Sequence, residues 1–298
     1  MKKLFFLLKV ILTLILVIYL IKSIGVRDTF ETIITGNINK FLLACSMIPL
    51  FLCLKVLKWH LMIRDAGAKE DFSTSIKAVL FGLGFGIFTP ARAGEIMRVS
   101  CYSSINKIMT GGLVVVDRLI DLITILLLGT YFVLQHFGFF YASNLFLLNI
   151  ILLLILGRAL NIHKYFPSKH KDTKFYRFIE KIGEGSKILT TRNLVIYSGI
   201  SILNWMLVIL QFYLLLNMYY FSTINVAISS LPIIQLSNLI PVTIAGIGLR
   251  ENLSIYILQI YAIPNQVAAL SAFILYFIDI FIPGLIGLLV FGLRRSIK

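Results

Sequence analysis

Phe88-Thr-Pro-Ala-Arg-Ala-Gly-Glu95 interrupts an apolar stretch, and Ile240-Pro-Val-Thr-Ile-Ala-Gly-Ile-Gly-Leu-Arg-Glu251 interrupts another in the same way. Each stretch breaks at proline and glycine and then opens a helix with a glutamate and an arginine close by. Ahead of the first break, Ser75–Pro90 is short, apolar and glycine-laden (Gly82, Gly84, Gly86), and about Gly94–Ile108 reads as a second short helix. The later stretch repeats this. Ala227–Ile244 carries Pro232, Asn238 and Pro241, and half-length Leu249–Tyr261 is stopped by Pro264. None of these halves crosses ~30 Å of hydrocarbon. Half-helices broken at Pro and Gly predict re-entrant hairpins, which survive in a membrane only when buried in protein or lining a cavity.

Further along, Arg118-Leu-Ile-Asp121 and Phe277-Ile-Asp279 each place an aspartate in an apolar span, with a glycine eight residues on at Gly129 and Gly287. Glu95 to Asp121 is 26 residues and Glu251 to Asp279 is 28, so spacing matches as well as residue type. The spans outside the hairpins read as about Leu4–Ile24, Phe41–Leu57, Leu113–Phe137, Phe139–Leu160, Leu194–Tyr220 and Val267–Leu293. Three of them separate the two hairpins, and an odd number inverts the second relative to the first. The expected fold is therefore an all-α integral membrane protein. It has six transmembrane helices and two opposed re-entrant helical hairpins in an inverted repeat. The chain forms one polytopic domain, with a first repeat over about 41–137 and a second over about 194–293. Paired broken helices in an inverted repeat are the sequence pointer to a transporter with its site near the midplane.

Composition agrees. Of 298 residues, 59% are hydrophobic and 14% charged, and the mean hydropathy is +0.93; soluble domains average about 25% charged. The net charge of +15 sits in short loops between apolar runs. That placement favours membrane topology and anionic leaflet lipids over nucleic acid. Counting Lys and Arg puts both termini in the cytoplasm. The polar segment Asn161–Asn193 joins them there as an interfacial amphipathic helix, and only Lys22, Arg27 and Lys40 fall outside. The localisation expected is a multi-pass protein of the cell membrane. Cys45, Cys53 and Cys101 form neither a disulfide framework nor a zinc spacing. The four histidines make no metal pair. Gly183-Glu-Gly-Ser-Lys187 lacks the spacing of a phosphate-binding loop. No cofactor is expected, and no hydrolysis of ATP.

Arg92, Glu95, Arg98, Asp117, Arg118, Asp121, Arg250, Glu251 and Asp279 fall within or at the edge of apolar segments. Each costs ~2.5–3.5 kcal/mol at the bilayer centre, so they must pair or face water. Glu95 lies three residues from both Arg92 and Arg98, and Asp121 lies three from Arg118, which suits helical ion pairs. Structural salt bridging is the plainer explanation for Asp117, near the cytoplasmic end of its span. Arg92 and Arg250, each beside a broken-helix tip, read instead as anion ligands, with phosphate the obvious anion. The eight remaining charges, Arg92, Glu95, Arg98, Arg118, Asp121, Arg250, Glu251 and Asp279, are the expected substrate-binding set, and all of them but Arg118 are expected to converge on one cavity.

Thr89-Pro-Ala-Arg-Ala-Gly-Glu95 with Asp117-Arg-Leu-Ile-Asp121, and then Pro241 through Gly246-Ile-Gly-Leu-Arg-Glu251, resembles the lysylphosphatidylglycerol synthase transmembrane-region family. This is the flippase-like module of bacterial multiple peptide resistance factors and of standalone relatives. The resemblance covers about Val10–Arg294. It departs in carrying Asp117-Arg118 where many relatives have Glu-Arg, and Ala245-Gly246 in place of Gly-Gly. It implies translocation of a phospholipid or polyprenyl-linked lipid between leaflets rather than an enzyme, since the transferase domain of larger relatives has no counterpart here. A non-transporting anchor or regulator of a separate lipid-modifying transferase is the alternative. A homodimer is left open.

Overall fold

A computed structural model describes residues 15–16, 18–20, 22, 26–158, 190–239, 243 and 246–295. Among them the chain is helical, without strands. Helices α1 (Val26–Thr35), α2 (Ile38–Ser46), α3 (Ile48–Asp65) and α4 (Phe72–Ile87) precede a 3-10 segment, Pro90–Cys101. Then come α5 (Lys107–Phe137), α6 (Phe139–Arg158), α7 (Thr191–Tyr219), α8 (Ile224–Gln235), α9 (Leu249–Gln259), α10 (Asn265–Tyr276) and α11 (Ile282–Arg295). Three stretches among the described residues are long and apolar enough to cross a membrane: Ile38–Asp65, Thr191–Tyr219 and Asn265–Val290. Phe139, Phe140, Leu147 and Leu154 lie open along α6, as suits a helix in contact with acyl chains rather than water. Most of the expected first span, most of the amphipathic segment 161–193 and part of the second break (240–242, 244–245) lie outside the described residues.

The chain divides into two compact units. One comprises 1–52, 83–94 and 206–298, the other 53–82 and 95–205.

In the first unit, α8, α9 and α10 pack in sequence. The Ser229 hydroxyl lies 2.7 Å from that of Tyr261, and the Ser254 hydroxyl donates to the Ala268 carbonyl at 2.8 Å. The end of α4 packs on α11 through two glycines. A Cβ on Gly84 would come 2.6 Å from the Gly284 carbonyl oxygen, so no side chain fits at this crossing. Ile87, Ile247 and Tyr276 share one apolar cluster with Ile280 and Phe281, which seats both breaks of the sequence against the end of α10. Between α10 and α11 the helix opens into a π turn over Phe277–Phe281. Pro283 has no N–H to offer the carbonyl four residues back, and the Ile282 N–H goes instead to the Phe277 carbonyl. The last apolar stretch is therefore not the uninterrupted helix its hydropathy suggests.

In the second unit, Trp59 lies on α3 with its indole N–H donating to the Tyr102 hydroxyl at 2.9 Å, and Ser75 on α4 touches the same hydroxyl at 3.1 Å. The sequence predicts a helix over Gly94–Ile108; the structure shows instead a 3-10 segment that ends at Cys101. Two anchors end it there. The Glu70 carboxylate accepts the Ser103 and Ser104 N–H groups, each at 2.9 Å. The Asn106 side chain then caps the Ile108 N–H at 2.8 Å, which starts α5 at Lys107, six residues before the expected Leu113. The expected span Phe41–Leu57 likewise lengthens to Ile38–Asp65, bringing Lys58 inside it.

Candidate functional site

The first break folds as a compact tip. The Thr89 hydroxyl accepts the Gly94 N–H at 2.6 Å, and the Thr89 carbonyl accepts the Arg92 N–H at 3.1 Å. A Cβ on Gly94 would meet the Phe85 carbonyl oxygen at 2.3 Å, so the returning chain lies directly on α4. Arg92 is held at φ 55°, a left-handed conformation uncommon outside glycine and a mark of local strain.

In the same unit, Gly246 and Gly248 take positive φ and lead into α9. Glu251 turns back to accept the Gly248 N–H at 2.8 Å and takes the Arg250 guanidinium at 2.5 Å. Arg250 also lies over the Tyr276 ring, 4.1 Å from its centroid. Both charges are buried, so a positive group is stacked, paired and shielded from solvent at the start of a helix. Asp279 sits buried in the π turn and accepts from the Gln211 amide at 3.0 Å.

The other unit holds a chain of buried charges in strict alternation. Asp121 meets the Lys58 ammonium at 2.5 Å, and Lys58 meets Asp117 at 2.7 Å. Asp117 meets Arg98 at 2.9 Å, Arg98 pairs with Glu95, and Glu95 pairs with Arg118. Three cations and three anions balance, which is the condition under which buried ions persist. Arg98 is fully buried, with its guanidinium 5.1 Å from the centre of the Trp59 ring. The two ends of the chain are more open, with side-chain exposures of 15% at Asp121 and 32% at Arg118. A small recess opens beside Asp121, lined by Lys55, Lys58, Ser201 and Asn204 among others.

The eight expected site residues thus divide evenly. Arg92, Arg250, Glu251 and Asp279 fall in one unit; Glu95, Arg98, Arg118 and Asp121 fall in the other. The expected pairing of Glu95 with Arg98 is present, but Asp121 is held by Lys58 and by the Ser201 hydroxyl at 2.7 Å. Arg118 reaches Glu95 on the 3-10 segment instead. Lys58 is the residue the sequence reading missed. Taking the span to end at Leu57 left Lys58 in a loop, where a lysine needs no partner. A lysine within a helix of 28 apolar-rich residues was the available signal.

Among the described residues, no group of three His, Cys, Asp or Glu side chains is placed to hold a metal ion. No curated protein and no solved structure matches the chain. The tip at Thr89–Gly94 and the turn into α9 at Gly246–Glu251 carry two sequence motifs that lie within the region matched by a known family. Residues 6–287 match the family described as the lysylphosphatidylglycerol synthase TM region, and the chain belongs to that family.

Proposed function

We propose that this protein moves a phosphate-bearing lipid between the leaflets of the cell membrane, with Arg92 and Arg250 as the phosphate ligands. One observation carries the reading: Tyr276 lies beneath the Arg250 guanidinium, 4.1 Å from it, and packs with Ile87 and Ile247, so the ends of both broken-helix motifs, each bearing an arginine, are seated on the same residue. In this reading the chain has six full spans, two opposed re-entrant hairpins and both termini in the cytoplasm. The cargo is a membrane phospholipid, aminoacylated or not, or a polyprenyl-linked lipid, and the chain performs no covalent chemistry.

The physics of the cargo sets the requirements. A headgroup crossing ~30 Å of hydrocarbon needs its phosphate neutralised while its tails stay in lipid. A guanidinium offers a planar pair of donors that matches phosphate oxygens. Release matters as much as capture, and here Glu251 competes for Arg250 at 2.5 Å. A phosphate that displaces this carboxylate is bound; the carboxylate that returns expels it. Arg118 and Asp121, at the two open ends of the balanced chain, are the residues of the other unit best placed to meet a headgroup, while Glu95 and Arg98 hold them in register.

The test is lipid exchange in liposomes containing the full chain and labelled phospholipid. Arg92→Ala and Arg250→Ala should each abolish exchange while the protein still inserts and folds. Arg250→Lys should retain part of the rate, because the charge survives and the two-pronged contact does not. Exchange at the unmodified rate in both alanine variants would make the arginines structural and remove the basis of the proposal.

A further inference from the structure

Two of the membrane-crossing stretches meet at one level: Ile38–Asp65 begins where Thr191–Tyr219 ends. There the Asn37 N–H donates to the Met218 carbonyl at 2.9 Å, and the Lys40 ammonium donates to the Asn217 carbonyl at 2.7 Å. Both carbonyls belong to the last turn of α7, where helical backbone lacks partners of its own and a cation is favoured. Gly36 lies against the same turn, and a Cβ there would come 2.6 Å from Met218 and 2.7 Å from Tyr219. A level at which one span starts and another stops is an edge of the hydrocarbon.

Large apolar side chains stand open at that edge. Ile34, near the end of α1, is 80% exposed, and Phe221, two residues past α7, is 84% exposed. Ile33, Ile38 and Tyr220 are open as well. Neither Ile34 nor Phe221 is on a loose end. Phe221 sits in a turn closed by Asn217, whose Oδ1 accepts the Ser222 N–H at 3.3 Å and whose amide donates to the Ser222 carbonyl at 3.1 Å. Ile34 sits in a regular helix that packs on α10. The ten residues of α1 make about 15 Å of helix, too short to cross ~30 Å of hydrocarbon. Extended backbone at Asn37 separates α1 from α2. In its sequence Val26, Phe30, Ile33 and Ile34 recur at helical spacing, with Arg27, Asp28, Glu31 and Thr35 between them. That is the pattern of a helix with one side in lipid and the other in water.

We infer that α1 and the turn after α7 form one lipid-binding rim in the headgroup layer, with Ile34 and Phe221 inserted at the boundary between headgroups and acyl chains. Position makes phospholipid the occupant. Ile34 stands four residues ahead of the first residue of one span, and Phe221 two beyond the last residue of another. The chain itself therefore holds both near the hydrocarbon edge. The open side chains of Leu42 and Leu43 on α2 continue the same apolar surface into the span. The rim is independent of which cargo the protein carries, or of its carrying one.

The test is tryptophan fluorescence of the full chain in phosphatidylcholine vesicles. Ile34→Trp and Phe221→Trp are each compared with the unmodified chain, whose Trp59 and Trp205 supply the background. Lipid brominated high on the acyl chain should remove most of the added emission in both variants. Lipid brominated near the chain ends should remove less, and aqueous iodide little. Both variants should keep the melting temperature of the unmodified chain, because side chains this exposed support little of the fold. Quenching by iodide and not by bromine would place the rim in water and overturn the inference. Stronger quenching by the deeper bromines would place it inside the hydrocarbon and do the same. Protection from every quencher would make protein the occupant, a second copy where the mass doubles, and equally overturn it. So would loss of folding in either variant, which would show that the side chain is needed inside the protein.

Discussion

Replacing Lys58 with methionine keeps the aliphatic stem and removes one charge from the middle of a balanced chain of six. The ammonium is 2.7 Å from Asp117 and 2.5 Å from Asp121, and it donates to the Ser201 hydroxyl at 2.8 Å. Its side-chain exposure is 4% and that of Asp117 is 3%, so solvent screens little of this interaction. Removing one partner of a buried ion pair costs about 3–5 kcal/mol, chiefly because the other charge is stranded. Lys58→Met strands most of one carboxylate, since Asp117 retains Arg98 and Asp121 retains Ser201. The expected loss is therefore about 3–5 kcal/mol rather than twice that. The double variant Lys58→Met/Asp121→Asn leaves two cations and two anions, again in balance. It should be more stable than the sum of the single losses predicts by about 1–3 kcal/mol, the range of coupling between residues in contact. Equilibrium unfolding in lipid bicelles, with retained helicity before unfolding as the control, gives all four corners of the cycle. A loss below about 1 kcal/mol in Lys58→Met would refute the reasoning, as would strict additivity in the double variant, because either result means the six charges are not one network.

Two further perturbations test the scaffold. Gly94→Ala forces a Cβ to within 2.3 Å of the Phe85 backbone oxygen, and backbone cannot yield as a flexible side chain can. It should destabilise the first tip by several kcal/mol, on the scale of severe overpacking, read as a fall in unfolding midpoint. The same substitution at Gly199, where nothing lies within 4 Å, should leave the midpoint near its original value. Glu70 supplies a pH test at the loop between α3 and α4. Burial opposes its ionisation, but the Ser104 hydroxyl and the Ser104 and Ser103 N–H groups hold its carboxyl down at about 2, from 4.5. The folded value lies below the unfolded one, so the latch stabilises fully above about pH 4.5 and is lost as the pH falls toward about 2. Glu70→Gln should lower the unfolding midpoint at neutral pH, with the difference from the unmodified protein closing across that window; a difference that does not depend on pH would show that the carboxylate charge is irrelevant to the latch.

Much of the architecture was legible from residue type and spacing. Apolar runs of membrane-crossing length cannot be hidden in a soluble fold, and Thr89-Pro90 and Gly246–Gly248 break helices for reasons local to the backbone: a missing N–H, or a need for positive φ. Glu95 with Arg98 was equally local, since three residues on a helical turn bring two side chains together in almost any fold. The partners of Asp121 were not local. Arg118 stands one turn away on the same helix, yet Lys58 and Ser201 hold Asp121 from other helices, across sequence separations of 63 and 80 residues. No periodicity encodes which of several cations a buried carboxylate will meet. Desolvation demands a partner, and packing chooses it. The same holds for Tyr276, an apolar-span tyrosine with nothing in its neighbours to single it out, which the fold brings beneath Arg250 and against Ile87 and Ile247. The sequence alone determined that this is a helical membrane protein with two broken-helix motifs and too many intramembrane charges to leave unpaired. Only the tertiary structure decided how those charges pair, because the energy of an ion pair depends on distance and burial, and both belong to the fold.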